Sequence, residues 1–166
     1  MKNFIKVSLI VTGSFVLICS FLDPYGSAKS VRSDGPLLEG AGINPAIAQV
    51  LERSCQNCHS ERTEWPLYSY IAPLSWLIER DVQTARSHMN MSRWESYTLD
   101  EQMEILAKLG VEVRNHRMPL PQYLRLHPDA KLTNEEVQQL YQWAHEERRR
   151  LRALVDPVRK LPTSGN

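Results

Sequence analysis

The residues with the most to offer chemically are Cys55 and Cys58, two thiols separated by Gln56 and Asn57, with an imidazole directly behind them at His59. Side chains three or four apart on a helical turn share a face, with Cβ atoms roughly 5–6 Å apart. Thiols so placed can bind a metal, close a disulfide, or add to two vinyl groups on adjacent edges of one porphyrin. A zinc ribbon needs a second Cys or His pair at compatible spacing, and there is no second CxxC. A thioredoxin-like redox motif wants a βαβ context that this sequence does not offer. A disulfide across two residues closes a very short loop and constrains little. C-x-x-C-H is the attachment pattern of covalent c-type haem. The expectation is therefore one haem c, joined to Cys55 and Cys58 and ligated at its iron by His59. The other ring nitrogen of His59 then needs an acceptor to fix the ring plane. A backbone carbonyl after the motif, near Pro66 or Pro73, is expected to supply it.

A haem with one His ligand leaves a sixth iron position, and what fills it sets the chemistry. Methionine gives electron transfer at high potential, a second His gives it at lower potential, and an open site binds small molecules. Met118 is the favoured candidate, because Pro119 and Pro121 stiffen its loop and reduce the entropy cost of holding a thioether in place. The alternatives are His116, His88, Met89, Met91 or an open position. Met118 as a gap-filling core residue is the plain counterpart of this reading. Arg62, Arg80 and Arg86, with Tyr68, Tyr70 and Trp76, are candidates for the propionates or ring edge. His127 and His145 read as surface or capping residues. The basic run Arg148-Arg149-Arg150-Leu151-Arg152 suits a helix C-terminus. It reads as a solvated face or, more sharply, as a docking patch for an acidic redox partner.

Several elements must position these groups. Lys2 and Lys6 precede an uncharged run from Val7 to Leu22, the layout of a positive n-region and an apolar h-region. Residues 1–22 are expected to be a signal peptide, cleaved after Gly26-Ser27-Ala28, or a retained anchor in the inner membrane made by residues 4–22, with the body outside the cytoplasm. Cys19 follows Ile18 rather than a small residue, so it reads as apolar filler and not as a lipidation site. Residues 23–43 are polar, rich in Gly, Ser and Pro, and read as a linker. The domain is expected over 44–156, with a flexible tail at 157–166.

Within the domain, Asn44-Pro45 opens a helix whose face of Ile47, Val50, Leu51 and Ser54 leads into Cys55. A second helix runs from Leu74 to about Met89, with Leu74, Leu77, Ile78 and Val82 inward. Thr98…Glu101 and Thr133…Glu136 are capping boxes. The first opens a helix with Met103, Leu106, Ala107 and Val111 inward. The second opens one with Val137, Leu140, Tyr141, Ala144 and Leu151 inward, stopped by Pro157 and Pro162. Residues 116–128 hold three prolines and should be an extended loop. No strand pattern or repeat stands out, so the fold class is all-α. All three Phe lie in the N-terminal segment, so the modest core relies on four Trp and five Tyr. Domains this small often borrow stability from a cofactor. With 20 Lys and Arg against 19 Asp and Glu, the chain lacks the basic surface that nucleic-acid binding needs.

The stretch Cys55-Gln56-Asn57-Cys58-His59-Ser60, followed by Trp65-Pro66-Leu67-Tyr68-Ser69-Tyr70-Ile71-Ala72-Pro73, resembles the bacterial haem-binding domain family. The resemblance continues through Asp81-Val82, Asn90-Met91-Ser92-Arg93-Trp94, Met118-Pro119, Tyr123 to Ala130, and Trp143. That family consists of small exported or membrane-anchored proteins with a single CxxCH. The resemblance implies a cytochrome c-like helical domain with long structured loops around one haem, preceded by a hydrophobic helix that is commonly retained. Asp23-Pro24-Tyr25-Gly26 looks like the family's turn after the membrane. The resemblance also implies Cys55, Cys58 and His59 as haem contacts, and favours Met118 as the second axial ligand. The chain departs from the family pattern at Ala85, Met91 and Arg117, where Gly, an aromatic and Gly are usual. The functional expectation is single-haem electron transfer to an unidentified redox partner in the periplasm. A peroxidase-type enzyme using His88 or His116, or a haem-based sensor with an open iron position, are the competing readings.

Overall fold

The computed structural model describes residues 1–22, 24 and 28–159, with backbone only for 156–159. Seven α-helices and three short 3₁₀ turns appear among these residues, and no strand. The all-α expectation holds. Helix α1 (Lys2–Ser20) has a mean hydropathy of 1.7 and is long and apolar enough to cross a membrane, a test that a signal sequence also passes. The proposed cleavage site and the Asp23–Gly26 turn rest on residues outside those described.

Helix α2 (Pro45–Ser54) begins as its sequence dictates, with Asn44 Oδ1 accepting from the Ile47 N–H at 2.9 Å and Pro45 in the first turn. It buries Ile47, Val50, Leu51 and Ser54. At Cys55 the backbone leaves helical geometry (φ −124°), and the single turn α3 (Gln56–His59) follows. Helix α4 (Leu74–His88) lies where expected but is rotated. Ser75, Glu79, Val82 and Ala85 are buried, while Leu77 is exposed. Apolar periodicity misjudged this face because Glu79 is buried with a partner, the ammonium of Lys29.

Helices α5 (Leu99–Arg114) and α7 (Asn134–Arg159) pack on each other to form the largest helix pair. Both capping boxes form: Glu101 N–H donates to Thr98 Oγ1 at 3.3 Å, and Glu136 N–H donates to Thr133 Oγ1 at 3.1 Å. Leu106, Val113, Val137, Leu140, Ala144 and Leu151 are buried, but Val111 is exposed. At Gly110 a Cβ would stand 3.4 Å from the Tyr141 ring, an ordinary contact distance, so the packing here does not depend on glycine. Pro157 does not stop α7, which continues to Arg159; so near the end, its missing N–H removes little intrahelical bonding. The arginine run is consequently inside the helix and not at its end. Pro162 lies outside the described residues.

Two segments are more ordered than their composition suggests. In the proline-rich stretch, Pro121 starts the one-turn helix α6 (Pro121–Leu124), and Pro128 starts a 3₁₀ turn. The described residues of the segment before Asn44, from Ala28 on, form no helix or strand but are strapped to the body. Leu38 is buried and donates its N–H to Met91 O at 2.8 Å, while Gly40 O and Gly42 O accept from Arg150 and Trp143 on α7 at 3.0 and 2.9 Å. Leu38 in the core, with Leu37, Ala41 and Ile43 packed against it, explains the attachment.

Candidate functional site

The thiols and the imidazole come together through local backbone bonding. Cys55 N–H donates to Leu51 O at 2.9 Å, continuing α2, and Cys55 O accepts from both Cys58 N–H (3.2 Å) and His59 N–H (3.0 Å). At 100° per residue, Cys55, Cys58 and His59 fall on one side of this turn, and Gln56 and Asn57 fall on the other. Both thiols are half-buried and form no disulfide. Burial, reinforced by the neighbouring Cys58, pushes the Cys55 thiol up to about 12. Burial and then Asp81 push Cys58 up to about 11. Both are therefore neutral thiols, with the reactive thiolate suppressed.

His59 Nδ1 lies 3.2 Å from the Met89 carbonyl. The acceptor is thus at the C-terminal end of α4, thirty residues downstream, and not near Pro66 or Pro73. Burial lowers the His59 pKa, against the opposing pull of the Met89 and Ala85 carbonyls, so the ring is neutral at neutral pH. A neutral imidazole that donates from Nδ1 presents a lone pair at Nε2. The acceptor is itself held. Asn90 Nδ2 donates to Glu61 Oε1 at 3.0 Å, Asn90 N–H donates to Tyr97 Oη at 3.0 Å, and Ser92 Oγ accepts from Glu61 N–H at 3.0 Å.

Around this trio sits a set of polar ties that motif reading missed. Asn57 Oδ1 accepts from Glu64 N–H at 3.0 Å, and its Nδ2 donates to Tyr123 Oη at 3.0 Å. Thr63 Oγ1 donates to Asn57 O at 2.7 Å. Tyr68 Oη lies 2.6 Å from His127 Nε2, and the Tyr123 ring stacks on His127 with centroids 4.2 Å apart. The segment after α5 is thus pulled against the motif, and His127 is a structural partner rather than a surface residue. The spacing of Tyr123 and His127, one helical turn apart, was the available signal.

The expected propionate contacts are engaged elsewhere. Arg86 donates to Ser60 O (2.8 Å), Ala28 O (2.9 Å) and Thr63 Oγ1 (3.0 Å), Arg62 donates to Asp34 O, and Arg80 pairs with Asp81. Trp76 Nε1 donates to Leu22 O, and Tyr70 lies under the Lys29 ammonium. Among the candidates for the second axial ligand, Met89 and Met91 are packed in the hydrophobic core. His88 is exposed, with Nδ1 2.7 Å from Thr84 O, and His116 is an exposed residue at φ 54°. Met118 is half-buried in the turn leading into α6, and no hydrogen bond joins it to the motif trio.

A cavity of about 470 Å³ lies against the motif, lined by Arg53, Gln56, Asn57, Trp65, Tyr123 and His127 among others. It touches the two intervening residues and none of Cys55, Cys58 and His59, so it is on the back of the turn. Among the described residues no group of three or more His, Cys, Asp or Glu could hold a metal ion. The trio suits a porphyrin instead: two neutral unbonded thiols and one oriented imidazole on a common face.

A family model described as a haem-binding domain matches residues 14–146. The chain belongs to the haem-binding domain family. This haem-binding domain is also similar to the cytochrome c peroxidase Ccp of Escherichia coli (strain K12), with 24% identity over 149 residues. The match covers 83% of the chain but 32% of that relative, so the chain spans about a third of the curated protein it matches. No solved structure matches it. Membership of this family makes haem the cofactor.

Proposed function

We propose that this chain is a single-haem c electron carrier held outside the cytoplasm by α1 as a retained inner-membrane anchor. Cys55 and Cys58 would hold the haem through thioethers, and His59 Nε2 and Met118 would supply the ligands to its iron. The observation that carries this reading is the 3.2 Å contact between His59 Nδ1 and Met89 O, which sets the tautomer and ring plane an axial histidine needs. Bound haem supplies one-electron exchange, at a potential tuned by its ligands and burial. The chain's own residues orient and enclose. Met89 O holds the imidazole, while the Asn57–Tyr123 bond draws the Met118-bearing segment toward the motif. Packing of Met89 and Met91 in the core, and exposure of His88, favour Met118 over these rivals.

The test is the holoprotein produced with a cytochrome c maturation system. After denaturation and acid-acetone washing, the expected product keeps its colour and the mass of one macrocycle, and a colourless chain overturns covalent attachment. Met118→Ala is expected to remove the six-coordinate spectrum of the wild type; an unchanged spectrum overturns Met118. The similarity to a protein named cytochrome c peroxidase supports a second reading, peroxide turnover at an open iron position. Turnover with reducing dyes, lost in His88→Ala or His116→Ala, would favour it over electron transfer.

A further inference from the structure

Among the described residues, most of the exposed large apolar side chains lie within residues 1–22, but a second group stands on the body. Leu67 is 82% exposed, Tyr70 51%, Ile71 48% and Leu77 37%. Three belong to the 3₁₀ turn Leu67–Tyr70 and the residue after it, and Leu77 is on α4. The turn is joined to the helix, since Ser75 N–H donates to Ile71 O at 2.9 Å.

This group is not placed at random with respect to α1. Ala72 N–H donates to Ser20 Oγ at 3.0 Å, and Trp76 Nε1 donates to Leu22 O at 2.9 Å. Ile71 and Leu77 are each one residue from a donor that grips the outer end of α1. Helix α1 has 19 residues. At 1.5 Å per residue it is about 28 Å long, close to the hydrocarbon thickness of a bilayer. If its Lys end is inside, Ser20 and Leu22 lie at the outer membrane–water boundary, and atoms bonded to them lie at the same depth. Tyr70 and Trp76 carry an apolar ring with a polar tip, the composition of the interfacial belt.

We infer that the face formed by Leu67, Tyr70, Ile71 and Leu77 rests in the headgroup and upper acyl region of the bilayer that holds α1. The anchor and the face form one continuous contact, and the haem domain keeps a fixed orientation on the membrane instead of swinging on a tether. This inference rests on the proposed retention of α1. Its occupant is lipid, because the face adjoins the end of a helix that carries no charge from Val7 to Ser20 and leaves its large apolar side chains exposed.

The test uses the full-length holoprotein in nanodiscs of phosphatidylethanolamine and phosphatidylglycerol. The photo-crosslinking residue benzoylphenylalanine replaces Leu67, Ile71, Leu77, Val11 or Val111, one position at a time, each exposed so that folding is undisturbed. Haem absorbance checks each variant. After irradiation, Leu67, Ile71, Leu77 and Val11 are expected to gain the mass of one phospholipid, and Val111 on α5 is not. Lipid adducts at Val11 without excess over Val111 at the other three positions overturn the inference and leave the anchor standing. Crosslinked dimers at those three in place of lipid also overturn it, assigning the face to a second copy. Absence of adducts at Val11 overturns the anchor itself, and the inference with it.

Discussion

Along α5 and α7 the buried side chains are mostly apolar: Leu106, Val113, Val137, Leu140, Ala144 and Leu151. Around the motif the buried residues include polar Ser60, Glu61, Thr63, Ser69, Glu79 and Asn90 beside apolar Leu51, Val82, Ala85 and Met89. One region is folded by the removal of apolar surface from water, each large side chain contributing on the order of 2 kcal/mol. The other is specified by side-chain-to-backbone hydrogen bonds, which are weak in net stability but costly to leave unmade. The helix pair is a platform that would form around many sequences of the same pattern. The motif region is a cradle of specific polar ties, and in the proposed reading the haem adds apolar mass to it.

The largest effect should come from the platform. Leu140 is fully buried in the shared core, and Leu140→Ala should cost about 3–5 kcal/mol by cavity formation. Urea unfolding followed by circular dichroism should show this loss with or without attached haem. A loss under about 1 kcal/mol in both forms would mean that α5 and α7 are not the independent half of the comparison.

Next is the knot of the cradle. Arg86→Ala strands Ser60 O, Ala28 O and Thr63 Oγ1 together. With hydrogen bonds to a charged group at about 1.5–3 kcal/mol each and imperfect additivity, roughly 3 kcal/mol is expected. Unlike Leu140→Ala, it should also lower the yield of haem attachment, read from the haem-to-protein absorbance ratio. Normal loading would show that the ties around Ser60 and Thr63 do not hold the motif.

Much of the platform was legible in the sequence because its signals are local. Asn44-Pro45, both capping boxes and the apolar stripes of α2, α5 and α7 each report on their own helix. The cradle was legible only where its chemistry is local too, at Cys55, Cys58 and His59. The acceptor for His59 lies thirty residues away, and nothing adjacent to the histidine could reveal it. Arg86 could be recognised as a residue with a task, but pattern alone pointed it at a propionate when its partners are three oxygens of the protein. The inward face of α4 was misread for the same reason: Glu79 is buried by a lysine fifty residues before it.

A smaller effect should come from the tie that brings the two regions together. Tyr123→Phe removes one hydrogen bond to Asn57 and leaves the stacked ring, so stability should fall by about 1 kcal/mol. If this bond sets the approach of the Met118 segment, the reduction potential should shift as well. A potential equal to the wild type's would confine Tyr123 to stability.

The smallest effect concerns pH and belongs to the platform alone. The Glu101 carboxyl is held below its ordinary value of 4.5, by the Thr98 backbone N–H first and the Thr98 hydroxyl second. The folded protein therefore binds this proton less readily than the unfolded chain does. The stability that the box contributes is present above the unfolded value and is lost as pH falls through the lower folded one. Glu101→Gln should flatten that limb of a stability-against-pH curve while the haem spectrum at neutral pH stays unchanged. The limb should look the same in the Arg86→Ala background, because Thr98 and Arg86 share no partner. A different acid limb there would mean that the two regions titrate as one, and that the division between platform and cradle is drawn in the wrong place.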